Sequence, residues 1–312
     1  MGDSGIGSGF AFTATRLDRR ADRRDDPEFL SAALADPMTR IVVFCNDECL
    51  VDGPEIRAPR YLSVTELAEL GVVPWPPIFL GIEAGNALFA IDIDAAQRER
   101  IARPHFAELW RNAERLPDHE ATTLAYAKGM LEWHRRHRYC GRSGALNAVV
   151  RGGHQLIGAE ENAQFPRVDP AIIVLVQRDD RCLLGRKPAW PEDWYTTIAG
   201  FVEPGERLED AVRREVKEET NIEVEDVEYV ASQPWPFPTS LMIGFHATAA
   251  PGPIVLNDKE LADADWFSRE DIASRKVRIP PAMSIASHLI ERWYDRGVGP
   301  SLKDVIPARR WR

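Results

Sequence analysis

The stretch from Gly200 to Ile222 reads GFVEPGERLEDAVRREVKEETNI and sets Gly200, Glu206, Arg214, Glu215, Glu218 and Glu219 at a G-x5-E-x7-R-E-x-x-E-E spacing. Pro204-Gly205 is a turn dipeptide. Beyond it Glu206, Glu209 and Asp210 load the first turns of a helix, where negative charge suits the dipole. Leu208, Ala211, Val212 and Val216 recur at the i, i+3, i+4, i+8 positions of an amphipathic stripe. At about 100° per residue, Glu215 and Glu219 fall within roughly 60° of Leu208 and Val212. These two acids are therefore expected beside the buried stripe, with Asp210, Arg213 and Lys217 on the solvated side. Carboxylates one turn apart repel, and beside a core they also lose hydration. A hard cation with oxygen ligands removes that cost, and Mg²⁺ or Mn²⁺ fits best. A metal held this way calls for phosphate chemistry. The plain alternative is a solvated acidic face paired with lysines and arginines; the spacing and the buried side weigh against it.

The chain has 312 residues, enough for two domains, and 44% apolar residues, enough for proper cores. A net charge of −10 tells against wholesale binding to nucleic acid or an anionic membrane. No run of ~20 apolar residues is present, so no membrane span is expected. The opening MGDSGIGSGFAF lacks the basic start and apolar core of a secretory signal and reads as a loose tail. The four cysteines, Cys45, Cys49, Cys140 and Cys182, form no CxxC pair and imply no disulfide framework, which fits a reducing cytoplasm. Cys45 and Cys49 read as buried or incidental thiols.

Along the chain, residues 15–30 interleave Arg19-Arg20 and Arg23-Arg24 with aspartates and read as a solvated helix or linker. Residues 40–50 and 57–62 are short apolar runs, read as strands. Ser63 to Glu66 has the spacing of a capping box, and Pro74 to Pro77 breaks the helix it starts. Ile78–Gly81 and Ala87–Ile91 flank Glu83-Ala84-Gly85-Asn86, a hairpin. Glu120 to His137 is a helix with Leu124, Ala127, Met130 or Leu131, and His134 on one face. Its basic end, Arg135, Arg136 and Arg138, suits the dipole; a phosphate- or RNA-contacting patch is the sharper alternative. Ala171 to Val176 is an unbroken β-branched run typical of a buried strand, Arg181 to Gly185 its returning hairpin partner, and Tyr195 to Ala199 a strand leading into Gly200. Strands are expected at Val224 to Ala231 and Leu241 to Ala249, with a last helix from about Ser284 to Asp295. Between those strands lies SQPWPFPTS, residues 232–240, whose alternating prolines predict an extended, polyproline-like ribbon carrying Trp235 and Phe237.

Two motifs together carry a resemblance. Residues 200–222 resemble the Nudix box, with Val216 and Ile222 at its aliphatic positions and Asn221 where the family has its last glycine. Asn is the next-best residue for a left-handed helix end, so the substitution is mild. SQPWPFPxS just beyond such a box marks the NADH pyrophosphatase family of Nudix hydrolases, and only the variable position, Thr239, is free to differ. The resemblance covers about residues 120–290. It implies a Nudix α/β/α sandwich with a mixed sheet, preceded by a smaller α+β domain. The implied boundaries are a flexible tail (1–12), an N-terminal domain (13–118), a linker helix with a degenerate zinc-ribbon segment (119–165), the Nudix domain (166–300) and a C-terminal tail (301–312). The ribbon is degenerate because Cys140 alone remains: Ser143 replaces the second cysteine and Gly158 to Gln164 holds none. One ligand cannot hold a structural zinc, so no zinc is expected.

The resemblance also implies the chemistry. Metal ions, Mg²⁺ or Mn²⁺, would be held by Glu215, Glu219, Glu260 and the carbonyl of Ala199, with Glu206 in the catalytic set and Arg214 orienting the acids. Glu219 or Glu218 would be the base. The substrate pocket would be Phe201, Gln233, Pro234, Trp235, Pro236, Phe237, Pro238, Thr239, Ser240 and Ala286, completed by Phe165 from a second subunit of a homodimer. The reaction implied is cleavage of NADH or NAD⁺ to nicotinamide mononucleotide and AMP, with removal of NAD caps from RNA as the same chemistry on a larger substrate. A nucleotide-sensing module without catalysis is the alternative, and the intact box carboxylates weigh against it.

Overall fold

Three residues at positive φ, Asn46, Ala84 and Gly85, make the tight turns of the N-terminal sheet. A left-handed backbone in a two-residue loop matches the twist of the strands it joins. Asn46 helps to turn β1 (Arg40–Cys45) into β2 (Glu48–Val51), and Ala84-Gly85 turns β3 (Ile78–Glu83) into β4 (Asn86–Asp92). With β5 (His105–Glu108) they form a sheet of order β3-β4-β1-β2-β5, mixed because β1 and β4 run parallel. Residues 57–62 enter it only through isolated bridges at Pro59 and Leu62.

The computed structural model describes residues 10–69, 71, 76–101, 105–257 and 259–307. These fall into two units: 11–168 with 235–239, and 169–234 with 240 onward and Phe10. Of the N-terminal stretch expected as a tail, residues 1–9 lie outside the described residues, while Phe10, Ala11 and Phe12 are buried. Pro74 and the terminal Arg309-Arg310-Trp311-Arg312 also lie outside them.

In the first unit, α1 (Pro27–Ala35) begins on Asp26, which accepts from the Phe29 amide. Helix α2 (Val64–Glu69) begins with the expected box: the Ser63 amide donates to Glu66 and the Glu66 amide to Ser63 Oγ. Short helices α3 (Ala95–Arg100) and α4 (Leu109–Asn112) precede α5 (Asp118–Arg136). Helix α5 buries Leu124, Ala127, Met130, Leu131 and His134, the face its periodicity marks. Its basic end is drawn into ion pairs: Arg135 reaches Glu132 at 2.7 Å and Asp92 at 3.0 Å, and Arg136 reaches Glu132 at 2.5 Å. The segment of the degenerate ribbon forms a small sheet, β6 (Ala148–Val150), β7 (Gln155–Ile157) and β8 (Ala163–Gln164). Side-chain amides tie it together, Asn147 donating to His137 O at 2.7 Å and Asn162 to Cys140 Sγ at 3.7 Å. All four cysteines are buried and unpaired.

In the second unit, β9 (Asp169–Arg178), β10 (Arg181–Arg186), β11 (Ile198–Phe201), β12 (Val224–Trp235), β13 (Ser240–Ala249) and β14 (Asp263–Ser268) build a mixed sheet. Its order is β12-β13-β9-β10-β14, with β11 paired to β9. The apolar run of β9 has two partners because side chains alternate. Ile172, Val174 and Val176 pack with α6 (Leu208–Thr220), whereas Ile173 and Leu175 pack with α8 (Ile285–Tyr294). Between them in the chain lies the short α7 (Arg269–Ala273), and α9 (Leu302–Val305) closes the α8 side. Helices on both faces of one mixed sheet make the α/β/α sandwich the motifs implied.

Two expectations are corrected. The strand before the box is displaced toward it, so Gly200 lies inside β11 rather than in a loop. Residues 232–240 are extended only in part: β12 continues through Trp235, and residues 236–239 turn. Proline fixes φ but leaves ψ free to extend or fold back, and Phe237 N–H closes the turn on Trp235 O at 2.7 Å.

Candidate active site

Helix α6 is built as its stripe predicts. Ala211, Val212 and Val216 are buried, and Asn221 at φ 62° ends the helix, its amide donating to Lys217 O. Asp210, Arg213 and Lys217 take the outer side, with Arg213 and Asp210 3.7 Å apart and Lys217 2.8 Å from Glu223. The helix starts at Leu208, after Arg207 as N-cap, so Glu206 precedes it rather than loading its first turn. Along the inner edge the acids graduate in exposure. Glu219 is 3% exposed, the Glu215 side chain 13% and the Glu218 side chain 56%.

Arg214 gathers Glu215 and Glu218 with Glu206. Its Nε and Nη2 donate to the two Glu206 oxygens at 2.8 and 2.9 Å, a bidentate fork. Nη1 donates to Glu215 at 2.8 Å and to Glu218 at 3.0 Å, and Nη2 also reaches Phe201 O at 2.9 Å. One planar guanidinium thus fixes three carboxylates and the end of β11. Gly200 completes the arrangement, because a Cβ there would run into the Glu215 carboxylate. Strand β11 is held in turn by β9, where Gly200 faces Ile172 and Ala199 faces Ile173.

The charges are unbalanced. Arg214 hydrogen bonds hold Glu206 below the usual carboxylate range, and the same three acids push Arg214 up. Glu215 is pushed up, by burial first and then by Glu218 and Glu260, against the pull of Arg214. Glu260, far along the chain, therefore lies within electrostatic reach of the box. Three of these acids, Glu206, Glu215 and Glu218, share the one guanidinium of Arg214. Among the described residues no three His, Cys, Asp or Glu side chains already converge as a metal cage. Three carboxylates on one guanidinium nevertheless leave an excess of hard oxygen donors, which fits a divalent cation such as Mg²⁺ or Mn²⁺.

The expected pocket residues divide between the two units. Phe201, Gln233, Pro234, Ser240 and Ala286 belong to one, and Phe165 with Trp235 to Thr239 to the other. Phe201 and Phe165 are exposed, at 60% and 58%. Gln233 is fully buried, its Nε2 donating to Met283 O and its Oε1 accepting from Ile285 N, both at 2.8 Å. It pins the start of α8, beside the buried Ala286. Residues the sequence reading passed over include Lys128, buried on the apolar face of α5, four residues after Leu124 and three before Leu131. A lysine at core spacing was the signal.

Arg214→Lys should test the hub. Lysine keeps the charge but loses the fork. Turnover is expected to fall about a hundredfold, roughly 2.7 kcal/mol of transition-state stabilisation, with Tm little changed. Steady-state rates near those of the wild type would show that Arg214 does not orient the acids.

The sequence model of the NUDIX domain matches residues 166–288, and that of the NADH pyrophosphatase-like rudimentary NUDIX domain matches residues 38–133. The NAD-capped RNA hydrolase NUDT12 of Homo sapiens is 33% identical over 336 residues, covering 90% of this chain and 72% of the relative. The NAD-capped RNA hydrolase NudC of Stutzerimonas stutzeri (strain A1501) is 36% identical over 276 residues, covering 86% and 95%. The mitochondrial NAD(P)H pyrophosphatase NUDT13 of Homo sapiens is 34% identical over 247 residues, covering 73% and 70%. A sandwich with a Gly200-backed, arginine-gathered acid helix, preceded by a rudimentary copy of the same domain type, places this chain in the NADH pyrophosphatase family of Nudix hydrolases.

Proposed function

We propose that the chain hydrolyses the pyrophosphate of NADH and NAD⁺ to nicotinamide mononucleotide and AMP, and removes NAD caps from RNA 5′ ends by the same reaction. The observation that carries this is the set of three carboxylates, Glu206, Glu215 and Glu218, on one arginine, with the buried Glu219 one turn beyond Glu215, an excess of hard oxygen donors suited to metal-assisted phosphate chemistry. The names of the relatives supply the substrate. Glu215, Glu219 and Glu260, with the Ala199 carbonyl, would hold Mg²⁺ or Mn²⁺. When bound, the metal neutralises the phosphates and acidifies water. Glu219 or Glu218 takes the proton as water oxygen bonds to one phosphorus and its bond to the bridging oxygen breaks. Arg214 and Glu206 keep the acids in place, and positioning carries most of the effect. Phe201 stacks a base of the substrate, and Trp235 to Ser240 with Ala286 wall the pocket.

Phe165, exposed in the single chain, would complete the pocket of a second copy, making the active form a homodimer. Among the described residues no helix is long and apolar enough to cross a membrane. Four unpaired thiols fit the cytoplasm.

The test is hydrolysis of NADH and of NAD-capped RNA by the metal-stripped protein, with and without added Mg²⁺ or Mn²⁺, products resolved by chromatography. The expected result is AMP and the reduced mononucleotide from NADH and a 5′-monophosphate end on the RNA, only with metal present. Absence of turnover of either substrate by folded protein would refute the reading, and turnover of one alone would name the substrate.

A further inference from the structure

We propose that the N-terminal unit positions the aromatic wall of the substrate pocket, with Lys128 and Phe12 as the positioning residues. This rests on the function proposed above. The wall residues Trp235, Pro236 and Phe237 belong to the same unit as the rudimentary domain. Three parts of that unit meet them. Lys128 Nζ stands 5.6 Å from the centre of the Phe237 ring. The Phe12 ring lies 5.8 Å from Phe237 and 6.1 Å from Trp235, edge-on to the latter at 69°. Pro236 packs over Gly129, 3.6 Å from where a Cβ would stand. Trp235 and Phe237 are themselves edge to face, 5.2 Å apart at 73°. Both keep part of their surface open, as a ligand-contacting wall requires.

Two features are hard to explain as packing alone. Lysine is rarely buried, yet Lys128 is 4% exposed on the core face of α5. Its ammonium is held by Asp47 at 2.5 Å, but Asp47 is 72% exposed, so the pair straddles the surface. A methionine would fill the same space without losing hydration. What the ammonium adds is attraction to the π-face of Phe237, which sets the ring's orientation rather than only its burial. Phe12 is 1% exposed and holds φ 68°, a conformation costly for a residue with a Cβ. Such strain persists only where the surroundings impose it, and here those surroundings include Trp235 and Phe237. The rudimentary domain, with no Nudix box of its own, is thereby given a role: it orients the residues that receive the substrate's flat end.

The experiment compares full-length wild type with Lys128→Met, Lys128→Arg and Phe12→Leu, by hydrogen exchange at the Phe237 and Thr239 amides and by NADH kinetics. In Lys128→Met and Phe12→Leu those amides should exchange about tenfold faster, with the rest of the unit unchanged. KM should rise about tenfold with kcat within about twofold, and Lys128→Arg should restore most of both. Unchanged exchange and KM in Lys128→Met would overturn the proposal. So would a fall in kcat at constant KM, or faster exchange throughout the unit, since either means general damage. If wild type fails to turn over NADH while the two amides still respond, the positioning stands and the assigned substrate falls.

Discussion

Gly200→Ala is expected to lower turnover by about a thousandfold, near 4 kcal/mol, in a protein that still folds. The added methyl group meets the Glu215 carboxylate, so one of the two must move. Backbone movement is opposed by the β11–β9 ladder, in which Gly200 is paired with Ile172 and Ala199 with Ile173. The lower-cost path is displacement of Glu215. That residue does not move alone, because Arg214 Nη1 binds it together with Glu218, and the same guanidinium holds Glu206 and Phe201 O. One methyl group therefore unsettles most of the acid set, and misplacement by an ångström at a reacting centre costs orders of magnitude. Stability should suffer less. Gly200 is not at positive φ, and alanine is tolerated in extended backbone, so a fall in Tm of no more than about 5 °C is expected. Circular dichroism melts beside steady-state rates decide the matter. Activity within tenfold of wild type would mean that Glu215 relocates freely and that the packing of Gly200 on it has no functional weight.

The contrast between what this prediction needs and what periodicity supplies explains how far the sequence could be read. The stripe of α6, its end at Asn221 and the buried β9 run follow from local pattern, since each depends on which residues share a face or tolerate a left-handed turn. The capping box at Ser63 and the Ala84-Gly85 turn are local in the same sense. Nothing local shows that Glu215 abuts Gly200, fifteen positions earlier, or that one arginine reaches Glu206, Glu215, Glu218 and a β11 carbonyl together. Those contacts exist only after α6 packs beside β11. The turn at residues 236–239 is hidden from the sequence for another reason. Alternating prolines restrict φ but not ψ, and the turn at 236–239 accompanies aromatic contacts with Phe12 and Lys128, over a hundred positions away. Gln233 belongs with these. Its amide spans Met283 and Ile285 at the start of α8, contacts that no local pattern announces.

Glu219→Gln separates chemistry from stability most sharply, because the two should move in opposite directions or not together. Glu219 lies one turn beyond Glu215 and is the most buried acid of the box, at 3% exposure, beside the core residues Val216 and Thr220. A carboxylate buried there loses hydration that an amide would lose far less of. Glutamine has the same shape and none of the charge, so Tm is expected to stay level or rise by a few degrees, the usual direction when a functional group is relieved of its task. Activity depends on what glutamine lacks. As a proposed metal ligand and candidate base, the side chain must carry negative charge and, in the second role, accept a proton. Removing either is expected to reduce kcat by about 10³- to 10⁴-fold, some 4 to 5 kcal/mol. Glu218→Gln serves as the comparison: at 56% exposure it should leave Tm unchanged, and its effect on kcat distinguishes a base from a bystander. If Glu219→Gln retains more than a tenth of wild-type turnover, Glu219 neither binds the metal nor moves the proton. If it loses stability in step with activity, its buried charge is a structural partner rather than a catalytic one.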